Sequence, residues 1–161
     1  MRLPLENGLL FVHMPKTAGT SFREALEKSL GKKNMYYDYG VNSDVSSELI
    51  LNYLHPARRM PELGEALAKG ARRFCLAGHF ALPKYAPLFM MKNTIMYLRD
   101  PVQRFISSYE HHRRFNDLDM SLEAYCAEPK YLNVQSRVLG GSPVEMVGFV
   151  GLQEFYADSL R

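Results

Sequence analysis

With 161 residues, 47% of them hydrophobic, the chain is long enough for one domain with a buried core. Its 23% charged residues and lack of repetitive tracts exclude a disordered or low-complexity protein. A net charge of +3 gives no argument for nucleic acid and is compatible with an anionic small ligand. The paired basics Lys32-Lys33, Arg58-Arg59, Arg72-Arg73 and Arg113-Arg114 are scattered and read as solvated faces. Cys75 and Cys126 lack CxxC spacing and a histidine cluster, which argues against structural zinc; a disulfide between them is left open. No signal-peptide layout or membrane-length apolar run is present, so the chain reads as soluble and cytoplasmic.

The first expected element is a strand, Gly8-Leu9-Leu10-Phe11-Val12-His13, apolar on both faces like a central parallel strand. Residues 14–19 break it, and a helix is expected from Thr20 or Ser21, where Ser21 and Glu24 have capping-box spacing. Phe22, Ala25, Leu26 and Leu30 form its apolar face. Residues 35–39 read as a second strand, and 45–54 and 61–69 as helices. Strands follow over 73–77 and 93–98. A helix opens after Arg99, with Asp100 as N-cap, Pro101 at its first position and Val102, Phe105, Ile106 and Tyr109 on its core face. Beyond Asn116 the chain reads as short helical pieces. Alternation of strands and helices predicts a parallel α/β sheet, whose ligands bind beyond the carboxyl ends of the strands.

Three groups of residues fall there. In residues 13–22, Ala18 and Gly19 let backbone wrap a ligand, a helix start leaves N–H groups open, and Lys16 adds a positive charge. Thr17, Thr20 and Ser21 add hydroxyls. The lysine precedes the glycine, so the Walker pattern of ordinary nucleotide hydrolases is absent. The plainer alternative is a capped turn with a surface lysine. In residues 99–109, Arg99 ends a strand, and Gln103 and Ser107 share the helical face that points back toward it, a receptor suited to a phosphate monoester. Alternatively, Arg99 pairs with a local carboxylate. Gly78-His79 follows the third strand, and a histidine there can act as general base or be merely structural.

In order and spacing these segments resemble the sulfotransferases related to heparan sulfate 2-O-sulfotransferase. Pro15-Lys16-Thr17-Ala18-Gly19-Thr20-Ser21-Phe22 is similar to that family's 5′-phosphosulfate loop. Arg99-Asp100-Pro101 with Arg104 and Ser107-Ser108-Tyr109 is similar to its 3′-phosphate site, and Gly78-His79 to the pair that carries its base. Residues 133–141 and 150–154 resemble downstream segments. The resemblance implies a three-layer, P-loop-NTPase-like parallel sheet with a mostly helical C-terminal part. It implies 3′-phosphoadenosine 5′-phosphosulfate (PAPS) as co-substrate, no metal, and a hydroxyl acceptor, usually a glycan. Lys16 and His79 would be catalytic. Pro15, Lys16, Thr17, Ala18, Gly19, Thr20 and Ser21 would hold the 5′ group, and Arg99 and Ser107 the 3′-phosphate. Residues 1–161 would form a single domain, shortened at its C-terminus relative to the family. A Golgi-lumenal domain is the alternative location; a kinase-like phosphotransferase and a nucleotide-binding module without turnover are the alternative functions.

Overall fold

The computed structural model describes residues 4–54, 58–70, 72–116 and 119–160. Five strands, β1 (Gly8–Val12), β2 (Met35–Asp38), β3 (Phe74–Gly78), β4 (Thr94–Leu98) and β5 (Phe149–Leu152), form one sheet of order β2-β3-β1-β4-β5. Every pairing in it is parallel. Alternate residues of β1 and β3 serve opposite faces. Leu10, Val12, Phe74 and Leu76 join a core closed by Ile50 and Leu54 of α2 (Glu48–Leu54) and Leu63 and Leu67 of α3 (Met60–Lys69). Phe11, Cys75 and Ala77 face the other way, toward Phe22, Leu26 and Leu30 of α1 (Gly19–Leu30). The result is the expected three-layer α/β sandwich. Cys75 and Cys126 are both free thiols.

Several elements differ from expectation, each for a local reason. Helix α1 begins at Gly19, ahead of Ser21, because Ala18 takes the left-handed conformation (φ 64°) at its N-cap. Ser21 therefore lies in the first turn and caps nothing. The helix expected over 45–54 starts only at Glu48. Its leading serines are engaged elsewhere: Ser47 and Ser46 accept from the backbone N–H groups of Tyr37 and Tyr39. They thereby satisfy donors on β2, an edge strand with a free side.

Helix α4 (Pro101–Phe115) starts as expected, with the Asp100 carboxylate accepting from the Gln103 N–H at 2.9 Å. Half of its expected core face is covered: Phe105 and Tyr109 pack on Tyr125 of α5 (Leu122–Ala127), whereas Val102 is 65% and Ile106 47% exposed.

The C-terminal part holds α5 and α6 (Val134–Leu139), but also β5, which the sequence reading took as helical. That strand is four residues long and sits at the sheet edge, so it lacks the long apolar run that marks a central strand. Gly151 is needed there because a Cβ would lie 2.3 Å from the Tyr97 ring.

Gly78 is the tightest position in the sheet. A Cβ would fall 1.9 Å from the Asp38 carbonyl oxygen of the neighbouring strand, and backbone there cannot move without breaking the β2·β3 pairing. Gly78→Ala is expected to cost about 3 kcal/mol of stability, at the upper end of overpacking penalties. Urea denaturation checks this; an unchanged midpoint would contradict the close approach.

Candidate active site

The parallel register lines up the ends of three strands. Val12 pairs with Gly78 and Gly78 with Asp38, so the next residues, His13, His79 and Tyr39, emerge in one row at the carboxyl edge. Backbone bonds extend the row: His13 N–H donates to Gly78 O at 2.9 Å, and His79 N–H to Asp38 O at 3.0 Å. The side chains pack accordingly. The His13 and His79 rings meet edge to face at 4.8 Å, and the Tyr39 and His79 rings at 4.7 Å. His13 Nδ1 shares a 2.7 Å hydrogen bond with the Tyr39 hydroxyl. His79 thus rests against two rings that are themselves tied together.

The sheet order reverses around β1, with β3 on one side and β4 on the other, and a cleft of about 650 Å³ opens at that point. Pro15, Lys16, Ala18, Gly19, Thr20, His79, Arg99 and Ser107 all line it. These are eight of the ten residues expected at the site; Thr17 and Ser21 fall outside. Thr17 is fully buried and its hydroxyl donates to Met14 O at 2.9 Å, so it braces the turn. Ser21 is exposed and does not line the cleft.

The loop before α1 is built for an anion. Lys16 (φ 70°) and Ala18 (φ 64°) both take left-handed backbone, a strain of roughly 1–3 kcal/mol each that gathers at functional sites. No side chain caps α1, so its first N–H groups remain open toward the cleft, with the positive end of the helix dipole behind them. Gly19 is required because the His13 ring lies 2.2 Å from where a Cβ would stand. The loop is pressed against the histidine row.

Arg99, just past the end of β4, lines the cleft next to that loop. Its backbone is clamped by the Gln135 amide, which accepts from Arg99 N–H at 3.0 Å and donates to Arg99 O at 2.9 Å. The next N–H, of Asp100, donates to Glu154 at 2.8 Å. The guanidinium reaches Lys16 O at 3.4 Å, while its Nε is buried without a partner. An unpartnered buried donor costs free energy until an acceptor arrives, so Arg99 is poised for an anion and does not pair with Asp100. Among the described residues the cleft lining contains no carboxylate.

Residues to which the sequence reading gave no role complete the lining: His13, Ser108, His111, His112, Asn116 and Gln153. Helical spacing by four from Ser107 leads to His111, and from Ser108 to His112, so that periodicity was the available signal. His112 is anchored by a 2.8 Å hydrogen bond between Nδ1 and the Tyr125 hydroxyl. For His13 the signal was its place at the end of a central strand.

Burial lowers the His13 imidazole to about 3, with the nearby His79 and Arg23 contributing, so it is neutral at physiological pH. Crowding by the surrounding rings, and then the Arg23 charge, lowers His79 to about 4. One side of the His79 ring is nevertheless exposed in the open cleft, where water supports part of an imidazolium charge. The downward direction stands on the packing, and it leaves the imidazole free to accept a proton at neutral pH.

A parallel α/β sheet with a cationic cleft, free of carboxylates among its described lining, at its switch point and a neutral histidine beside an uncapped helix suits group transfer from an anionic donor. The sequence agrees: the model of the sulfotransferase family matches residues 5–131, and the chain belongs to that family, whose members transfer sulfuryl groups. No curated protein and no solved structure matches it significantly.

Proposed function

We propose that this protein transfers a sulfuryl group from PAPS to a hydroxyl acceptor, as a cytoplasmic relative of the heparan sulfate 2-O-sulfotransferases. The observation that carries the reading is the unpartnered, buried Nε of Arg99 in the cleft that Lys16 and the uncapped α1 also line. Two groups of anion-binding residues, one on the loop before α1 and one after β4, suit a nucleotide phosphorylated at both ends better than one phosphorylated only at its 5′ end. Lys16 and the α1 N–H groups would hold the 5′ group. Arg99 and the Ser107 hydroxyl would hold the 3′-phosphate, with Gln135 and Glu154 fixing the backbone beneath them.

PAPS supplies an activated sulfuryl group and departs as adenosine 3′,5′-bisphosphate once its S–O bond to phosphate breaks and the acceptor oxygen bonds to sulfur. His79 takes the acceptor's proton as that oxygen attacks. Lys16 offsets negative charge at the 5′ end, where it grows in the transition state. His13 and Tyr39 hold the His79 ring in place. The family resemblance by itself points to a carbohydrate as acceptor; the lining of the cavity beside His79 favours a different class.

Incubation with PAPS and a panel of sugars, phenols and alcohols, with adenosine 3′,5′-bisphosphate as readout, tests the reaction. Acceptor-dependent release of the bisphosphate is expected. Consumption of ATP with PAPS left untouched would instead establish a phosphotransferase.

A further inference from the structure

His79 borders two cavities. The second, of about 930 Å³, has walls that include Leu54, Met60, Phe80, Ala81 and Pro83. A base shared between a donor cleft and a separate cavity has its acceptor in that cavity, since attack and proton removal occur on the donor-free side of the reacting oxygen. We infer that this cavity receives an acceptor with an apolar body, a hydroxyl directed at His79 and an acidic group, and that it is not built for a neutral sugar. The inference rests on the proposed role of His79.

The chemistry of the walls supports this class. Each hydroxyl of a sugar needs a hydrogen-bonding partner once it leaves water. Among the described lining residues only His79, Arg58 and Lys84 are polar, and none is an amide, a carboxylate or an aliphatic hydroxyl. The two cations are not equivalent. Lys84 Nζ lies 2.6 Å from a carboxylate oxygen of Asp38, a buried group that also accepts from the Tyr85 hydroxyl at 2.8 Å. Its charge is therefore matched within the fold. Arg58 is exposed, and no carboxylate among the described residues pairs with it. That leaves one uncompensated cation above an apolar floor formed by Leu54 and Phe80, which are 4% and 7% exposed. A planar phenol or hydroxylated hydrocarbon fits the floor, and a carboxylate on it reaches the guanidinium bidentately.

The test compares three acceptors with PAPS: 4-hydroxyphenylacetate, the neutral 4-hydroxyphenethyl alcohol, and a disaccharide containing a uronic acid. The hydroxyphenylacetate is expected to have a kcat/KM at least about tenfold above the neutral phenol. Arg58→Ala should erase that advantage, bringing the two phenols to the same kcat/KM. Ala81 is exposed and in ordinary extended backbone (φ −73°, ψ 138°), so Ala81→Trp can fill the cavity without strain. It should abolish turnover of all three while adenosine 3′,5′-bisphosphate binds as to the wild type. Preference for the disaccharide, equal use of the two phenols, or undiminished turnover in Ala81→Trp would overturn the assignment. Any of these with bisphosphate binding intact leaves the nucleotide site standing; failure of the wild type to bind the bisphosphate overturns both.

Discussion

Lys16→Ala is expected to lower kcat by roughly 10²–10³-fold, the usual cost of losing one donor aimed at developing charge. Lys16 lines the cleft beside the open N-terminus of α1, and its charge is the one full charge that the loop itself supplies. Left-handed backbone at this residue disfavours any side chain, so lysine is held there against its conformational preference. That makes Lys16→Gly a useful control. It removes the same charge but relieves the strain, and it should fold at least as well as the wild type while losing as much turnover. Steady-state rates paired with urea denaturation of both variants separate the two effects. Full activity in either variant would remove Lys16 from the chemistry.

Loss of the base should be comparable or larger. His79→Ala is expected to reduce kcat/KM by about 10²–10⁴-fold with little change in nucleotide affinity, since in the proposed reaction the side chain would meet the acceptor and not the nucleotide's ends. The pH dependence gives an independent signature. A base must be unprotonated to act, so activity falls as pH drops through its pKa. An unperturbed histidine would give an acid limb near 6.5, whereas the packing of His79 moves it down toward about 4. The profile of kcat/KM should therefore remain flat through 6.5 and bend only below it. A limb at 6.5 or above, or one that persists in His79→Ala, would assign the proton transfer to another group.

Much of this site was legible in the sequence because each part combines a strand end with a chemically specific side chain. Gly8 to His13 reads as a buried strand from its composition, and Lys16 and Gly19 follow at once. Asp100-Pro101 marks a helix start without ambiguity. What could not be read depends on long-range register. The row of His13, His79 and Tyr39 exists only because β1, β3 and β2 pair in a particular order, and nothing local to residue 39 announces it. Thr17 looks like a ligand from its neighbours, but the tight turn draws its hydroxyl to Met14 O. Ser46 and Ser47 looked like part of a helix until the needs of an edge strand claimed them. β5 escaped notice because a four-residue edge strand with a central glycine has no periodicity to recognise. Gln135 and Glu154 lie in segments whose family resemblance was visible, yet their role as clamps on Arg99-Asp100 appears only when the chain folds back.

The central claim is that the loop before α1 and residues 99–107 read the two ends of a doubly phosphorylated nucleotide. Calorimetric titration of adenosine 3′,5′-bisphosphate and of ADP, into the wild type and Arg99→Ala, tests it most directly. The bisphosphate should bind at least about tenfold more tightly than ADP to the wild type, as one charge-assisted contact implies, and the mutant should lose that preference. Because Gln135 holds the backbone and not the side chain of residue 99, the substitution should leave the fold in place. Equal affinities for the two nucleotides, or a preference that survives without Arg99, would contradict the account.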